Sequence, residues 1–122
     1  MGKMRIRRVY DDGGAPAAES GFRVLVDRLW PRGVSKERAA VDLWLKEVAP
    51  STELRKAFHH EGAAFDDFAR RYRAELEGNP AVQELRQVAA EHAEVVLLFS
   101  AKDPAQNQAA VLRDYLYEHP QR

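Results

Sequence analysis

The stretch Val95-Val96-Leu97-Leu98-Phe99 is the longest purely apolar run in the chain, and the polar segment Ser100-Ala101-Lys102-Asp103 follows it directly. A short run that begins with β-branched residues and is bounded by polar ones is typical of a strand buried on both faces of a sheet. It is far shorter than the roughly 18 apolar residues that a membrane-spanning helix needs. We therefore predict a central strand over 95–99 that ends in a polar turn.

Two further strands are predicted nearer the start of the chain. Residues 22–30 are rich in β-branched and aromatic side chains and apolar in their centre, and Met4, Ile6 and Val9 alternate with arginines before them. Between these strands, residues 11–21 contain Gly, Pro and Asp and predict a surface loop. Because helical sequence separates 22–30 from 95–99, we expect these two strands to pair in parallel.

The remaining segments predict helices. Ser35 and Ser51 are suited to begin two of them, over 36–48 and from 52 to about 58, and the first has Ala40, Leu43, Trp44 and Val48 on one face. Later helices are predicted over 64–77, from Pro80 to about His92 and over 106–118. The fold class is therefore α/β: a small mixed or parallel sheet of about three strands flanked by about five helices, in a single layered domain over residues 1–122.

Composition limits the classes of function. The chain has 122 residues, no cysteine and equal numbers of basic and acidic side chains, so a disulfide framework, a thiolate metal site and a cysteine nucleophile are excluded. Residues 1–60 carry a net charge of +4 and residues 61–122 a net charge of −4. No apolar leader follows Met1, which makes the cytoplasm the expected location and a membrane partner unexpected.

Polar and charged residues follow two of the predicted strands. Asp27, Arg28 and Arg32 come after one strand, and Ser100, Lys102 and Asp103 after the other. In open α/β sheets, ligands bind beyond the carboxyl ends of parallel strands, and helices beginning near Ser35 and Gln106 would add backbone N–H groups there. Since arginine and lysine suit phosphate and carboxylate groups, the pattern predicts a site for a small phosphorylated or carboxylated ligand.

Each residue of this site has an expected role. Arg28, Arg32 and Lys102 would hold the anion with help from Ser100, and Arg55 joins them because it follows the start of the second helix. Asp27 and Asp103 are the catalytic candidates, since they would orient the ligand or exchange protons; they would hold a divalent cation only if they came within bonding reach. No resident metal or cofactor is predicted, and His59-His60-Glu61 is better explained by a helix end than by a metal site.

Two alternatives remain open. The charged residues at the strand ends would equally serve to hold the fold together, as structural ion-pair networks do. A nucleic-acid-binding or regulatory module would instead use the basic N-terminal half, although no helix-turn-helix spacing or RNA-recognition motif is present. Its phosphate contacts would come from Lys3, Arg5, Arg7, Arg8, Arg28, Arg32, Lys36 and Arg38.

Residues 23–37, which read Arg-Val-Leu-Val-Asp-Arg-Leu-Trp-Pro-Arg-Gly-Val-Ser-Lys-Glu, closely resemble the signature of a bacterial family known as domain of unknown function 488, in its YeaO-like subgroup. The resemblance continues through Trp44, residues 49–56 and residues 98–103, and it covers nearly the whole chain.

The resemblance implies a small cytoplasmic α/β protein and no established reaction. Longer relatives carry a Cys-His-Arg segment after the last strand, where this chain has Gln106-Asn107-Gln108. The resemblance therefore does not imply thiol or imidazole chemistry at residues 106–108 of this chain. Whether the ligand is turned over, which ligand it is and how many copies of the chain assemble all stay open at this level.

Overall fold

A computed structural model describes residues 3–12, 21–60, 64–103 and 105–118, without the side chains of residues 11, 12, 38, 59 and 60. Its four strands are β1 (Lys3–Arg8), β2 (Phe22–Leu25), β3 (Leu43–Trp44) and β4 (Glu94–Phe99). They form one sheet in the order β1-β4-β2-β3, and every pair of neighbours is parallel. The predicted α/β class and the parallel pairing of β2 with β4 are therefore confirmed.

The helices follow the predicted order along the chain. They are α1 (Lys36–Ala39), α2 (Thr52–His60), α3 (Phe65–Glu77), α4 (Ala81–Glu91) and α5 (Gln108–Glu118), with 3₁₀ turns at Val9–Asp12 and Lys46–Val48. Of these, α1 is a single turn. None of the helices within the described residues is both long and apolar enough to cross a membrane.

Strand β4 lies at the centre because both of its faces are apolar. Residues 95–99 are all at most 1% exposed. Val95, Leu97 and Phe99 face the main core with residues of α3, α4 and α5, whereas Val96 and Leu98 pack on the other face beside Leu25. The apolar run that the sequence identified is thus the spine of the sheet.

Side chains bind backbone amides where two of the helices begin. The amide of Leu54 donates to Ser51 Oγ at 3.1 Å at the start of α2, and the amide of Ala81 donates to Asn79 Oδ1 at 2.9 Å at the start of α4. The apolar stripe of α3 is buried at Phe68, Tyr72 and Leu76, as its spacing predicts. The side chains of Ser51 and Asn79 therefore help to fix where α2 and α4 begin.

The predicted helix over 36–48 is wrong beyond Ala39. Ala40 has a φ of 47°, a left-handed conformation that ends the helix, and the Arg23 guanidinium binds the carbonyls of Ala39 and Ala40. Asp42 Oδ2 then accepts the backbone N–H of Arg23 at 2.9 Å, and β3 pairs with β2. The free edge of β2 has backbone N–H and C=O groups that need hydrogen-bond partners. Pairing with them stabilises this segment more than a continued helix would, although its apolar residues have helical spacing.

The strand predicted over 22–30 is also shorter than expected. Strand β2 ends at Leu25, although the Val26 amide still donates to the Leu98 carbonyl at 3.0 Å. Beyond it, the Asp27 carbonyl accepts Trp44 Nε1 at 2.8 Å, and the chain turns away from the sheet before Pro31. Residues 27–32 are therefore a loop at the carboxyl end of β2. Of the predicted loop 11–21, residues 13–20 lie outside the described part of the chain.

Candidate functional site

A cavity of about 530 Å³ opens at the carboxyl ends of β2 and β4. Parallel pairing of these strands brings the segments that follow them, 27–32 and 100–102, to the same edge of the sheet. Arg55 and Phe58 of α2 and Gln108 at the start of α5 complete the wall, and Arg8 and Tyr10 reach it from the end of β1 and the turn after it. Its position agrees with the general rule for ligand sites in open α/β sheets.

Six of the seven predicted site residues line this one cavity. They are Asp27, Arg28, Arg32, Arg55, Ser100 and Lys102. Arg28 and Lys102, which are far apart in sequence, thus line the same cavity. The roles assigned to these residues stay predictions.

Asp103, the seventh residue, is not among the described residues that line the cavity. Its Oδ1 accepts the backbone amides of Ala105 at 2.8 Å and of Gln106 at 2.9 Å, which closes the turn before α5. These two hydrogen bonds, led by that from Gln106, hold the pKa of the exposed Asp103 carboxyl below its ordinary value. The geometry gives Asp103 a turn-forming role.

Positive charge dominates the cavity wall. Among the described lining residues, five carry a cationic side chain and one carries a carboxyl group. The side chains of three of the cations, Arg32, Arg55 and Lys102, make no hydrogen bond or ion pair with the described part of the chain. Because guanidinium and ammonium groups hold anions well in a partly enclosed site, the wall is suited to a phosphate or carboxylate group.

Arg28 is engaged differently from the other three. Its Nε donates to the Pro50 carbonyl at 3.2 Å and its second terminal nitrogen to the Ala49 carbonyl at 3.1 Å. Ala49 and Pro50 themselves line the cavity. Arg28 therefore fixes part of the wall in addition to lending its charge.

Arg8 and Tyr10 line the cavity, although the sequence did not predict them as residues of this site. Arg8 Nε donates to the Ala101 carbonyl at 2.9 Å, and its guanidinium lies 4.8 Å from the centre of the Tyr10 ring. The Tyr10 hydroxyl donates to the Arg32 carbonyl at 2.8 Å. The position of Arg8 at the end of a predicted strand was the only sequence feature that could have placed it at the cavity. That feature becomes informative only because β1 pairs in parallel with β4, which brings Arg8 opposite Phe99.

The helix N-termini contribute less than expected. Helix α1 is a single turn, and no residue from 33–48 lines the cavity within the described chain. Helix α5 begins at Gln108, where Asn107 Oδ1 accepts the Ala110 amide at 2.9 Å and Asn107 Nδ2 donates to the Asp103 carbonyl at 2.9 Å. The Asn107 side chain therefore occupies one of the first backbone amides of α5, and the side chains of Asn107 and Gln108 line the cavity.

Trp30 both packs against the fold and lines the cavity. Its Nε1 donates to the Val34 carbonyl at 2.6 Å, and its ring meets that of Trp44 edge to face at 5.5 Å, packed beside the small cluster around Leu25. The residue also lines the cavity. The side chains of His59 and His60, and all of Glu61, lie outside the described residues; within the described chain, no three His, Cys, Asp or Glu side chains are grouped to hold a metal ion.

Asp27 is the buried acid of the cavity, with 6% of its surface exposed. Gln108 Nε2 donates to its Oδ1, whereas its Oδ2 makes no hydrogen bond of ordinary geometry with the described residues. Burial raises the pKa of this carboxyl, and the Ser100 hydroxyl and amide, the charge of Arg55 and Gln108 oppose that effect. The carboxylate form is thus disfavoured, and the nearby dipoles and charge only partly compensate.

We predict that Asp27→Asn changes how stability depends on pH. Because the pKa of Asp27 is higher in the folded chain than unfolded, the folded state binds more protons, and wild-type stability falls as pH rises through the range above the ordinary value of 3.8. Asparagine has no such proton. Urea unfolding should find that the stability of the variant relative to wild type increases as the pH is raised from 4 to 8. A difference that is constant across this range would contradict the prediction.

Comparisons with known proteins show which protein family and which relatives the chain is similar to. A family model, DUF488-N3i, described as the inactive DUF488-N3 subclade, matches residues 3–122. The uncharacterized protein YeaO of Escherichia coli is 48% identical over 116 residues, which cover 93% of this chain and 96% of that protein. The uncharacterized protein Rv3073c of Mycobacterium tuberculosis is 41% identical over 114 residues, 93% of each chain. No solved structure matches the chain significantly.

Proposed function

The chain belongs to the DUF488 family, in its subclade described as inactive, and from that premise we propose that its cavity binds a small phosphorylated or carboxylated ligand. One observation carries the proposal: five cationic side chains and a single carboxyl group line one hollow at the strand ends, and Arg32, Arg55 and Lys102 are left without partners within the described chain. Cations in a purely structural network would be paired with acidic side chains.

The size and walls of the cavity support a small ligand. Its 530 Å³ lies within the range of about 300–1,000 Å³ that is common for small-molecule sites. Leu29, Trp30 and Pro31 add apolar surface to a lining that also carries charged groups. A ligand with one anionic end and an uncharged body fits this division.

Binding, and not turnover, is the function proposed. The described lining residues include no histidine or cysteine, and Gln106-Asn107-Gln108 stands where longer relatives carry Cys-His-Arg. The description of the subclade as inactive points the same way. The catalytic roles considered for Asp27 and Asp103, like the cytoplasmic location, stay predictions from the sequence.

Titration of the chain with inorganic phosphate, phosphate esters and carboxylates at low ionic strength tests the proposal. The intrinsic fluorescence of the Trp30–Trp44 pair, of which Trp30 lines the cavity, provides one readout, and thermal unfolding provides another. An anion at 100 times its dissociation constant should stabilise the protein by about 2.7 kcal/mol. Arg55→Ala and Lys102→Ala should each weaken binding about tenfold, a loss typical of a charge-assisted hydrogen bond.

Lys56→Ala is the matched control, because Lys56 follows Arg55 on α2, is exposed and does not line the cavity. This variant should bind as wild type does. Absence of any anion-dependent change, or equal losses for Arg55→Ala and Lys56→Ala, would refute the proposal.

The nucleic-acid-binding alternative receives no specific support. Three residues of its basic set, Arg8, Arg28 and Arg32, face the cavity, and Arg5 pairs with Glu94 at 3.4 Å. Arg38 has no described side chain. A duplex DNA arm in the same titration decides the matter: binding that weakens steeply with salt and persists in Arg55→Ala would favour this alternative over the small ligand.

A further inference from the structure

Resting on the proposed function, we propose that the ligand is a hydroxylated phosphate ester of the sugar-phosphate class, and that Asp27 accepts a hydrogen bond from one of its hydroxyl groups. The phosphate would lie among the cations of the cavity, and the hydroxyl would face Oδ2 of Asp27. The same residue that the sequence suggested as catalytic would then serve to recognise the ligand.

The unpaired oxygen of Asp27 is the first reason. Buried carboxylate oxygens are nearly always hydrogen-bonded, because an unmet buried acceptor carries a substantial desolvation cost. Asp27 lines the cavity and is 6% exposed, yet Oδ2 has no hydrogen-bond partner of ordinary geometry in the described chain. A donor arriving through the cavity supplies the missing partner.

The neighbours of Asp27 indicate which donor fits. Oδ1 already accepts Gln108 Nε2, so Oδ2 is the oxygen left for a ligand. An ammonium donor is disfavoured because the described wall carries five cationic side chains. A neutral hydroxyl meets no such repulsion, and its own oxygen accepts from a nearby donor such as the Arg55 guanidinium.

The charge of the wall selects the anionic group. Arg32, Arg55 and Lys102 are three cations without partners in the described chain. A phosphate monoester is close to doubly charged at neutral pH, so it balances more of this charge than a carboxylate does and offers three acceptor oxygens to the guanidinium and ammonium groups. A phosphate group and a hydroxyl on one small body define the sugar-phosphate class.

Calorimetric titration with ribose 5-phosphate and with butyl phosphate tests this recognition, because the two esters share the phosphate and differ in their hydroxyl groups. Wild-type protein should bind ribose 5-phosphate about 10–100 times more tightly, as a hydrogen bond to a charged group contributes. In Asp27→Ala this preference should fall below about threefold, while inorganic phosphate still binds and reports that the cavity is intact.

Two further variants complete the experiment. Glu84→Ala removes an acidic side chain from an exposed position of α4, which contributes no described residue to the cavity, so it should keep the full preference. Asp27→Asn, which preserves size and one acceptor, should keep part of it. Equal binding of the two esters by wild type, or an unchanged preference in Asp27→Ala, overturns the inference alone; if no phosphate compound binds at all, the proposed function fails with it.

Discussion

Arg28→Ala is expected to lower the free energy of unfolding by about 2–3 kcal/mol, since it leaves two partly buried carbonyls without their charged donor. The guanidinium binds the carbonyls of Ala49 and Pro50 at 3.1 and 3.2 Å, and so ties the loop after β2 to the segment before α2. Chemical denaturation in urea measures the loss. Ligand affinity should fall as well, because both carbonyl-bearing residues form part of the cavity wall.

Arg28→Lys and Lys102→Ala are the controls for this prediction. A lysine ammonium is a point donor that does not reproduce the two-nitrogen fork, so Arg28→Lys should recover less than half of the loss. Lys102 is exposed and unpaired within the described chain, and its removal should change stability by less than about 0.5 kcal/mol. If both alanine variants destabilised the chain equally without affecting anion binding, the charged residues would have the purely structural role considered from the sequence.

Glu75→Ala is expected to cost about 2 kcal/mol of stability, because one carboxylate satisfies two donors of Ser51. Glu75 Oε1 accepts the Ser51 amide at 2.9 Å and Oε2 accepts the Ser51 hydroxyl at 2.6 Å, while that hydroxyl caps α2. Loss of the carboxylate therefore frees the backbone amide and loosens the cap. Thermal and urea unfolding both measure the effect.

Glu75→Gln separates this geometry from simple charge. Glutamine keeps a carbonyl oxygen for the Ser51 amide and an amide nitrogen that donates to the Ser51 hydroxyl oxygen, so it should cost less than about 1 kcal/mol. An exposed acid of the same helix, Asp66, provides the baseline, because Asp66→Ala should remain within about 0.5 kcal/mol of wild type. Equal losses in Glu75→Ala and Glu75→Gln would show that charge, and not the paired acceptance, stabilises this junction.

Elements with one decisive local pattern could be predicted well. The apolar run at 95–99 is buried on both faces and forms the central strand, and the stripe of Phe68, Tyr72 and Leu76 forms the buried face of α3. The segment 36–48 could not be predicted in the same way. Its apolar spacing suits a helix, but the outcome depended on Arg23 and Asp42, which link it to the free edge of β2.

The candidate site was partly predictable for the same reason. Once β2 and β4 are predicted to be parallel, the residues after each strand must meet at one edge, so Asp27, Arg28 and Lys102 were placed together from the sequence. Asp103 has the same residue type as Asp27 and a similar position after a strand. Its hydrogen bonds to the backbone of its own turn direct it to a different role, for which the sequence signal was that Asp103 directly precedes a proline.

The sequence alone was sufficient to predict the fold class, the central strand and the edge of the sheet at which the charged residues lie. These features are predictable because burial and backbone pairing impose short, regular periods on the chain. The tertiary structure decided which charges are free and which are occupied. The Arg28 guanidinium donates hydrogen bonds to two carbonyls, whereas the Arg55 side chain makes no hydrogen bond or ion pair in the described chain. One carboxylate oxygen of Asp27 has no hydrogen-bond partner among the described residues. These differences arise from contacts between distant segments, whose distances and angles no local pattern specifies.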